Sequence, residues 1–435
     1  MMERFKLFLR FTFLLIGVVY LAEAQAAYNV LDRFQLLEDK FRTQEMLREF
    51  NSKNFIIDIH ALANTDVTDF IGDANDVADF QGTDQEKLDR AQAFLRQYEN
   101  TEQNLRAGFG LNIPVFGFEV AGIKFKPNIR AQVNLGFLMG IQSSNLTPSD
   151  AIQYLGSDIP DQIRAKLNNC VGSFSPGSTR ESRDIVKFMI DTPACGLTAQ
   201  EQTAMQSYVG EYIFPEDTSV PDIRNYIKGE ARVGLSFDYT YDKNWFGNFS
   251  IYGLARADYT VRVSADNLTG DGDVAELPDE LNTTINASVD YRLGYKQDNW
   301  MVFGSIEDLK LARVSDNEEE GGTLIYGEDP LLRLHGEYMM KLSGLSLKPF
   351  GGVHKRSSYG FGDGLYVGAD LGAHVWEDSL GLRLRGMVDS EHLTISPMAN
   401  LWLMHIEYML KQPLTSDVDG IKPATIHSLN IRIDI

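Results

Sequence analysis

Between Ile285 and Tyr295 the chain reads INASVDYRLGY, and this alternation narrows sharply what it can fold into. Every second residue (Ile285, Ala287, Val289, Tyr291, Leu293, Tyr295) is apolar or aromatic, while Asn286, Ser288, Asp290, Arg292 and Gly294 fall between them. Side chains of a strand point alternately to opposite faces, so this stretch carries one greasy face and one polar, charged face. A helix would repeat its apolar residues every three or four positions instead. The segment reads as a two-faced strand.

The same pattern recurs along most of the chain. Leu105, Ala107, Phe109, Leu111 and Ile113 alternate with Arg106, Gly108, Gly110 and Asn112. Ala131 to Met139, Ala231 to Tyr241, Phe249 to Val263, Leu365 to Val375, Leu380 to Val388 and Leu429 to Ile435 repeat it. So many one-sided strands imply a single closed sheet. A soluble sandwich buries the apolar face, whereas an outer-membrane barrel turns it to lipid and keeps polar groups in the lumen. Mixed charges on the polar faces, long and numerous strands and an export signal all point to the membrane.

That signal occupies residues 1–24. Arg4, Lys6 and Arg10 form a basic start, Phe11 to Leu21 is almost wholly apolar, and Ala22-Glu23-Ala24 supplies small residues at the cleavage offsets. Ala24-Gln25-Ala26 offers a second cut. No Cys lies near to carry a lipid, and no later window has the roughly 18 uncharged apolar residues of a spanning helix. The formal charge of −21 argues against nucleic acid, whose phosphates need Lys and Arg. A hydrophobic content of 43% does not discriminate, because half of every barrel strand is polar.

Residues 25–102 read as a mostly helical segment that could enter or cap the barrel as a hatch. Leu31, Phe34, Leu37, Phe41 and Leu47 recur at helical spacing, as do Leu88, Ala91, Phe94 and Leu95, and Phe55 to His60 could be a short strand. The barrel is expected over residues 103–435, interrupted by an insert at 142–227 with helical stretches near Pro148–Leu155 and Leu197–Tyr208. The insert holds both cysteines, Cys170 and Cys195, which an exported chain is expected to pair. Such a bond contributes roughly 3 kcal/mol in the chain-entropy model. Beyond the insert, short connections such as Asp242-Lys243-Asn244 alternate with long ones such as Ser264 to Asn282, as in outer-membrane barrels. The count comes to about 14 antiparallel strands, with the insert on the outer side. Tyr241, Trp245, Phe246, Tyr295, Trp300, Phe303, Trp376 and Trp402 lie near strand ends, where interfacial aromatic belts belong.

This plan resembles the long-chain fatty-acid transporter superfamily of Gram-negative outer membranes. The run Gly110-Leu111-Asn112-Ile113-Pro114 and the region from Gly364-Leu365-Tyr366-Val367-Gly368-Ala369-Asp370 onward are similar to its conjugal-transfer TraF-like relatives. The chain differs in ending on Ile435 where such barrels end on an aromatic residue. The resemblance implies a barrel in the outer membrane and passage of small or hydrophobic molecules.

If the polar face lines the lumen, Arg130, Arg232, Asp238, Arg256, Asp258 and Arg262 project inward from the first half of the barrel. Asp290, Arg292, Arg333, His335, Glu337 and Asp370 follow, and His374, Arg383, Arg385, His405, Glu407, Arg432 and Asp434 complete the set. Opposite charges there can pair, which costs less than burying them alone, or they can select solutes in an open conduit. His335 with Glu337, and His405 with Glu407, lie two apart and share a face, the spacing of a general base or of two metal ligands. No nucleophile motif or third ligand joins them, so neither catalysis nor a metal or other cofactor is expected. Acidic runs at Asp271–Glu280 and Asp316–Asp329 read as solvated loops. The expected protein is a passive outer-membrane conduit whose surroundings are lipid. The alternatives are a non-conducting scaffold for a secretion, conjugation or adhesion assembly, and an outer-membrane hydrolase.

Overall fold

The computed structural model describes residues 29–48, 54–82, 84–144, 162–163, 165–167, 193–212, 220–263, 282–316, 329–342, 344–376, 380–418 and 420–435. The expected leader, the Pro148–Leu155 helix, Cys170 and most of the acidic loops lie outside them, as do the side chains of Arg262, His374 and Trp376.

Fourteen antiparallel strands close into one barrel. They are β1 (Ile56–Asn64), β2 (Thr101–Pro114, continued at Phe118–Val120), β3 (Ile123–Ser144), β4 (Val220–Tyr241), β5 (Trp245–Val263), β6 (Asn282–Gln297) and β7 (Trp300–Asp316). The circle continues with β8 (Leu331–Tyr338, continued at Met340–Leu342), β9 (Leu345–Lys355), β10 (Leu365–Trp376) and β11 (Leu380–Asp389). It ends with β12 (His392–Leu401), β13 (Met404–Pro413) and β14 (Ile426–Asp434). Each strand pairs with its successor, and β14 closes on β1 with Ile431 opposite Ile59. The wall therefore starts at Ile56, ahead of the expected Gln103. Its first strand is the short stretch around Phe55–His60, carried on to Asn64.

Burial is inverted relative to a soluble protein. On the outer face Leu135 stays 60% exposed and Val233 59%, whereas inward Ser236 and Ser288 are almost fully covered at 1%. Exposed apolar side chains in a continuous band would be unfavourable in water by about 25 cal/mol per Å², so this face belongs against acyl chains. Among the described residues no helix is long and apolar enough to cross a membrane; strands do the crossing.

Two rims differ. At one, connections are tight: Ala121 and Gly122 turn β2 into β3 with φ of 51° and 79°, a geometry that glycine adopts without strain. Tyr241, Trp245 and Trp300 stand exposed at this rim, and Tyr295 packs between the two tryptophans at 5.1 and 5.5 Å. Phe246 and Phe303 depart from the expected belt. Their positions share the inward parity of β5 and β7, and Phe303 is only 5% exposed. The opposite rim carries the long connections, including α2 (Val67–Ala78) and α3 (Asp84–Gln97) between β1 and β2. Phe70 of α2 packs on Phe94 and Tyr98, and this pair of helices rests on Met139, Ile141 and Ile223 of the wall. In the insert, α4 (Ala199–Tyr212) matches the second expected helix, and Cys195 is buried just before it.

Candidate functional site

The lumen is occupied. Helix α1 (Val30–Met46) begins at Asn29, whose side chain accepts a hydrogen bond from the Leu31 amide as an N-cap does. It lies inside the barrel with both its apolar and its polar side chains buried. Phe34 meets the Tyr226 ring edge-on at 4.8 Å and fits only because Gly136 has no Cβ, which would sit 2.5 Å from the ring. The Arg106 guanidinium lies 4.3 Å over the same ring and donates to the Phe34 carbonyl. At the helix end the Leu47 carbonyl accepts from Arg385 of β11 at 2.8 Å.

The polar side chains of α1 bind the wall all round. Arg33 reaches Glu102 of β2 at 2.8 Å and Glu391, in the β11–β12 turn, at 2.7 Å. Lys40 meets Asp389 and Glu391, and Glu38 takes Lys228 of β4 at 2.9 Å. Asp39 holds Arg356, in the β9–β10 loop, at 2.7 Å, and Arg48, just past the helix, holds Glu407 of β13 at 2.6 Å. Burial alone would raise the Glu391 carboxyl, but Arg33 and Lys40 outweigh it and hold its pKa down at about 2.

Asp308 is the hub of this network. The β6–β7 register shifts between Val289 and Tyr291, and the resulting irregularity places Asp308 at φ 60° with its side chain in the lumen. Its carboxylate is engaged by Arg42 at 2.5 Å, Arg232 at 2.6 Å and Arg356 at 2.7 Å, and by the Tyr252 hydroxyl at 3.0 Å. Neither Asp308 nor any α1 residue is singled out by the polar-face pattern. The only local signal is the adjacent pair Glu307-Asp308, two acids where a strand should alternate.

The sequence-selected residues separate into groups. Arg385 joins Asp370 at 2.8 Å and Glu407 at 3.4 Å, and Arg383 also reaches Asp370. Arg256 lies 3.3 Å from Asp258, which accepts from the Tyr226 hydroxyl. Arg333 pairs with Glu307, and Arg432 with Asp58 of β1. His335 contacts Glu337 at 3.6 Å and the Tyr366 hydroxyl at 3.0 Å. His405 and Glu407 take different partners: His405 bonds Asn400 and nears Asp434 at 3.8 Å, while Glu407 serves Arg48 and Arg385. Among the described residues no cluster of three or more His, Cys, Asp or Glu could hold a metal.

Beneath the C-terminal half of α1, on the tight-turn side, a cavity of about 190 Å³ remains. Arg42, Glu45 and Met46 line it from the helix, and Arg130, Arg232, Asp290, Arg292 and Glu307 from the wall. Arg130 is 3.8 Å from Asp238, and Arg292 lies over the Phe303 ring at 4.7 Å.

No family model matches the sequence, and no curated protein matches it. Solved barrels do. The TodX deltaS2S3 mutant monoaromatic hydrocarbon channel is 10% identical over 88% of this chain and 89% of its own, with a TM-score of 0.38. The toluene transporter TbuX of Ralstonia pickettii is 7% identical over 77% and 67%, with a TM-score of 0.26. CdiB from Acinetobacter baumannii is 9% identical with a TM-score of 0.32; 89% of this chain aligns, spanning 61% of that longer protein. These are outer-membrane barrels, and at such scores the chain's own strand register, not the likeness, is the ground for its fold.

Proposed function

We propose that the protein is an outer-membrane conduit for small or hydrophobic molecules, held shut by its N-terminal helix. The observation that carries this reading is α1 itself, buried along the lumen and joined to the wall by ion pairs interspersed with separate apolar clusters around Phe34, Phe41 and Leu47. Salt bridges with this many wall strands fix one position firmly, yet leave a polar surface that water can re-enter when the helix shifts. An export leader at residues 1–24, outer-membrane residence, a Cys170–Cys195 bond and kinship with the fatty-acid transporters and their TraF-like relatives belong to the same proposal. The dense ion pairing of the plug supports one rival, a barrel that never conducts and serves as a scaffold. Planar bilayers separate the two. Intact protein should be nearly silent, and protein lacking residues 29–46 should pass steady current. A deleted barrel that is folded and still silent would leave the scaffold standing.

A further inference from the structure

The cavity beneath the plug has lining charges out of proportion to the chain. Within a protein of net charge −21, four guanidinium groups (Arg42, Arg130, Arg232, Arg292) face three carboxylates (Glu45, Asp290, Glu307). Those carboxylates are already served. Asp290 accepts from the Tyr252 hydroxyl and the Asp308 amide, both at 2.8 Å. Glu307 accepts from Ser305 and Arg333, and Glu45 lies 3.5 Å from His60. Arg42 and Arg232 are committed to Asp308 and Glu230. Arg292 is different: among the described residues it makes no ion pair, and its buried Nε has no hydrogen-bond partner. Its guanidinium carbon lies 4.7 Å over the Phe303 ring. Arg130 beside the cavity, which donates its Nε to Asn128 at 2.8 Å and lies 3.8 Å from Asp238, keeps 39% of its side chain exposed.

We propose that this cavity binds a small organic carboxylate, with Arg292 as the principal fork and Arg130 as the second. A planar guanidinium matches a carboxylate in two parallel hydrogen bonds. The lining has one positive charge in excess, which suits a monoanion and undercompensates a dianion. A volume of about 190 Å³ falls below the roughly 300 Å³ where drug-sized pockets begin, so the ligand is small. The site goes beyond the conduit reading, since holding an anion requires no through-path.

Isothermal titration of full-length protein in detergent with sodium benzoate, at fixed ionic strength, tests it. Saturable one-site binding is expected, weakened at least tenfold by Arg292→Gln and less by Arg292→Lys, which keeps charge but loses the fork. Should Arg292→Gln not fold, Arg130→Gln carries the same comparison. No saturable binding by folded wild type, or unchanged binding in a folded variant, would overturn the site. Inorganic phosphate binding as tightly as benzoate would overturn the carboxylate assignment. A silent bilayer leaves these outcomes unaffected, so the two readings fail separately.

Discussion

Arg42 and Arg292 face the same lumen with the same guanidinium, yet their surroundings differ completely. Around α1, every one of Arg33, Lys40, Arg42, Arg48 and Arg356 has a carboxylate within 3.4 Å, and the contacts are buried. In the cavity below, Arg292 lies over an aromatic ring, and among the described residues no carboxylate comes within ion-pair distance of it, although Asp290 and Glu307 share the lining. On the proposed readings the first region is a lock and the second a chamber for a ligand. Inside a barrel, then, a charged side chain is structural when a partner from another element neutralises it and available for a ligand when none does.

This contrast can be broken at graded cost. The largest effect is expected at the hub. Asp308→Asn leaves Arg42, Arg232 and Arg356 without their shared carboxylate, and removing one partner of a buried pair costs about 3–5 kcal/mol. Urea unfolding in detergent micelles should show that loss, with spontaneous current in bilayers; a barrel as stable and as silent as wild type would refute the lock. Phe34→Ala empties the position against Tyr226 and Gly136 and should cost about 3 kcal/mol, read by the same unfolding curve. Acid provides the next step. The Glu391 pKa is depressed from the ordinary 4.5 to about 2, so its contribution is complete above pH 4.5 and is lost as the pH falls through about 2. Protease cleavage of α1 should therefore rise only below pH 4.5, and Glu391→Gln should show the looser plug at neutral pH. Smallest of all, Arg292→Gln, which breaks no ion pair, should cost about 1 kcal/mol, the contribution of its contact with the Phe303 ring. A drop like that of Asp308→Asn would erase the distinction between the two regions.

Much of the barrel was legible before any coordinates. Alternation located β2 to β6 and β10, β11 and β14 because a strand's two faces repeat with a period of two along the chain. It was less informative at β1. IIDIHALAN is only nine residues long, sits between helical patterns, and became a wall strand because β14 and β2 flank it on both sides. The helical spacing of Phe34, Leu37 and Phe41 was equally plain and marked a segment that could enter or cap the barrel, but it named no partners for the charges between them. In the structure Arg33, Glu38, Asp39 and Lys40 are buried. The wall they meet is polar, so the ordinary link between charge and solvent does not hold inside this barrel.

The local repeat of greasy and charged residues thus decided that the chain would make two-faced strands, since that follows from neighbours one or two positions apart. The outward direction of the apolar face was read from the mixed charges, the number of strands and the export signal. Closure decided the rest. Arg33 and Glu391 are separated by 358 positions, Arg48 and Glu407 by 359, and Asp308 turns inward only through a register shift between β6 and β7. Which charge is neutralised and which is left for a ligand depends on those distant approaches, because an ion pair is set by separation in space and no short-range pattern encodes it.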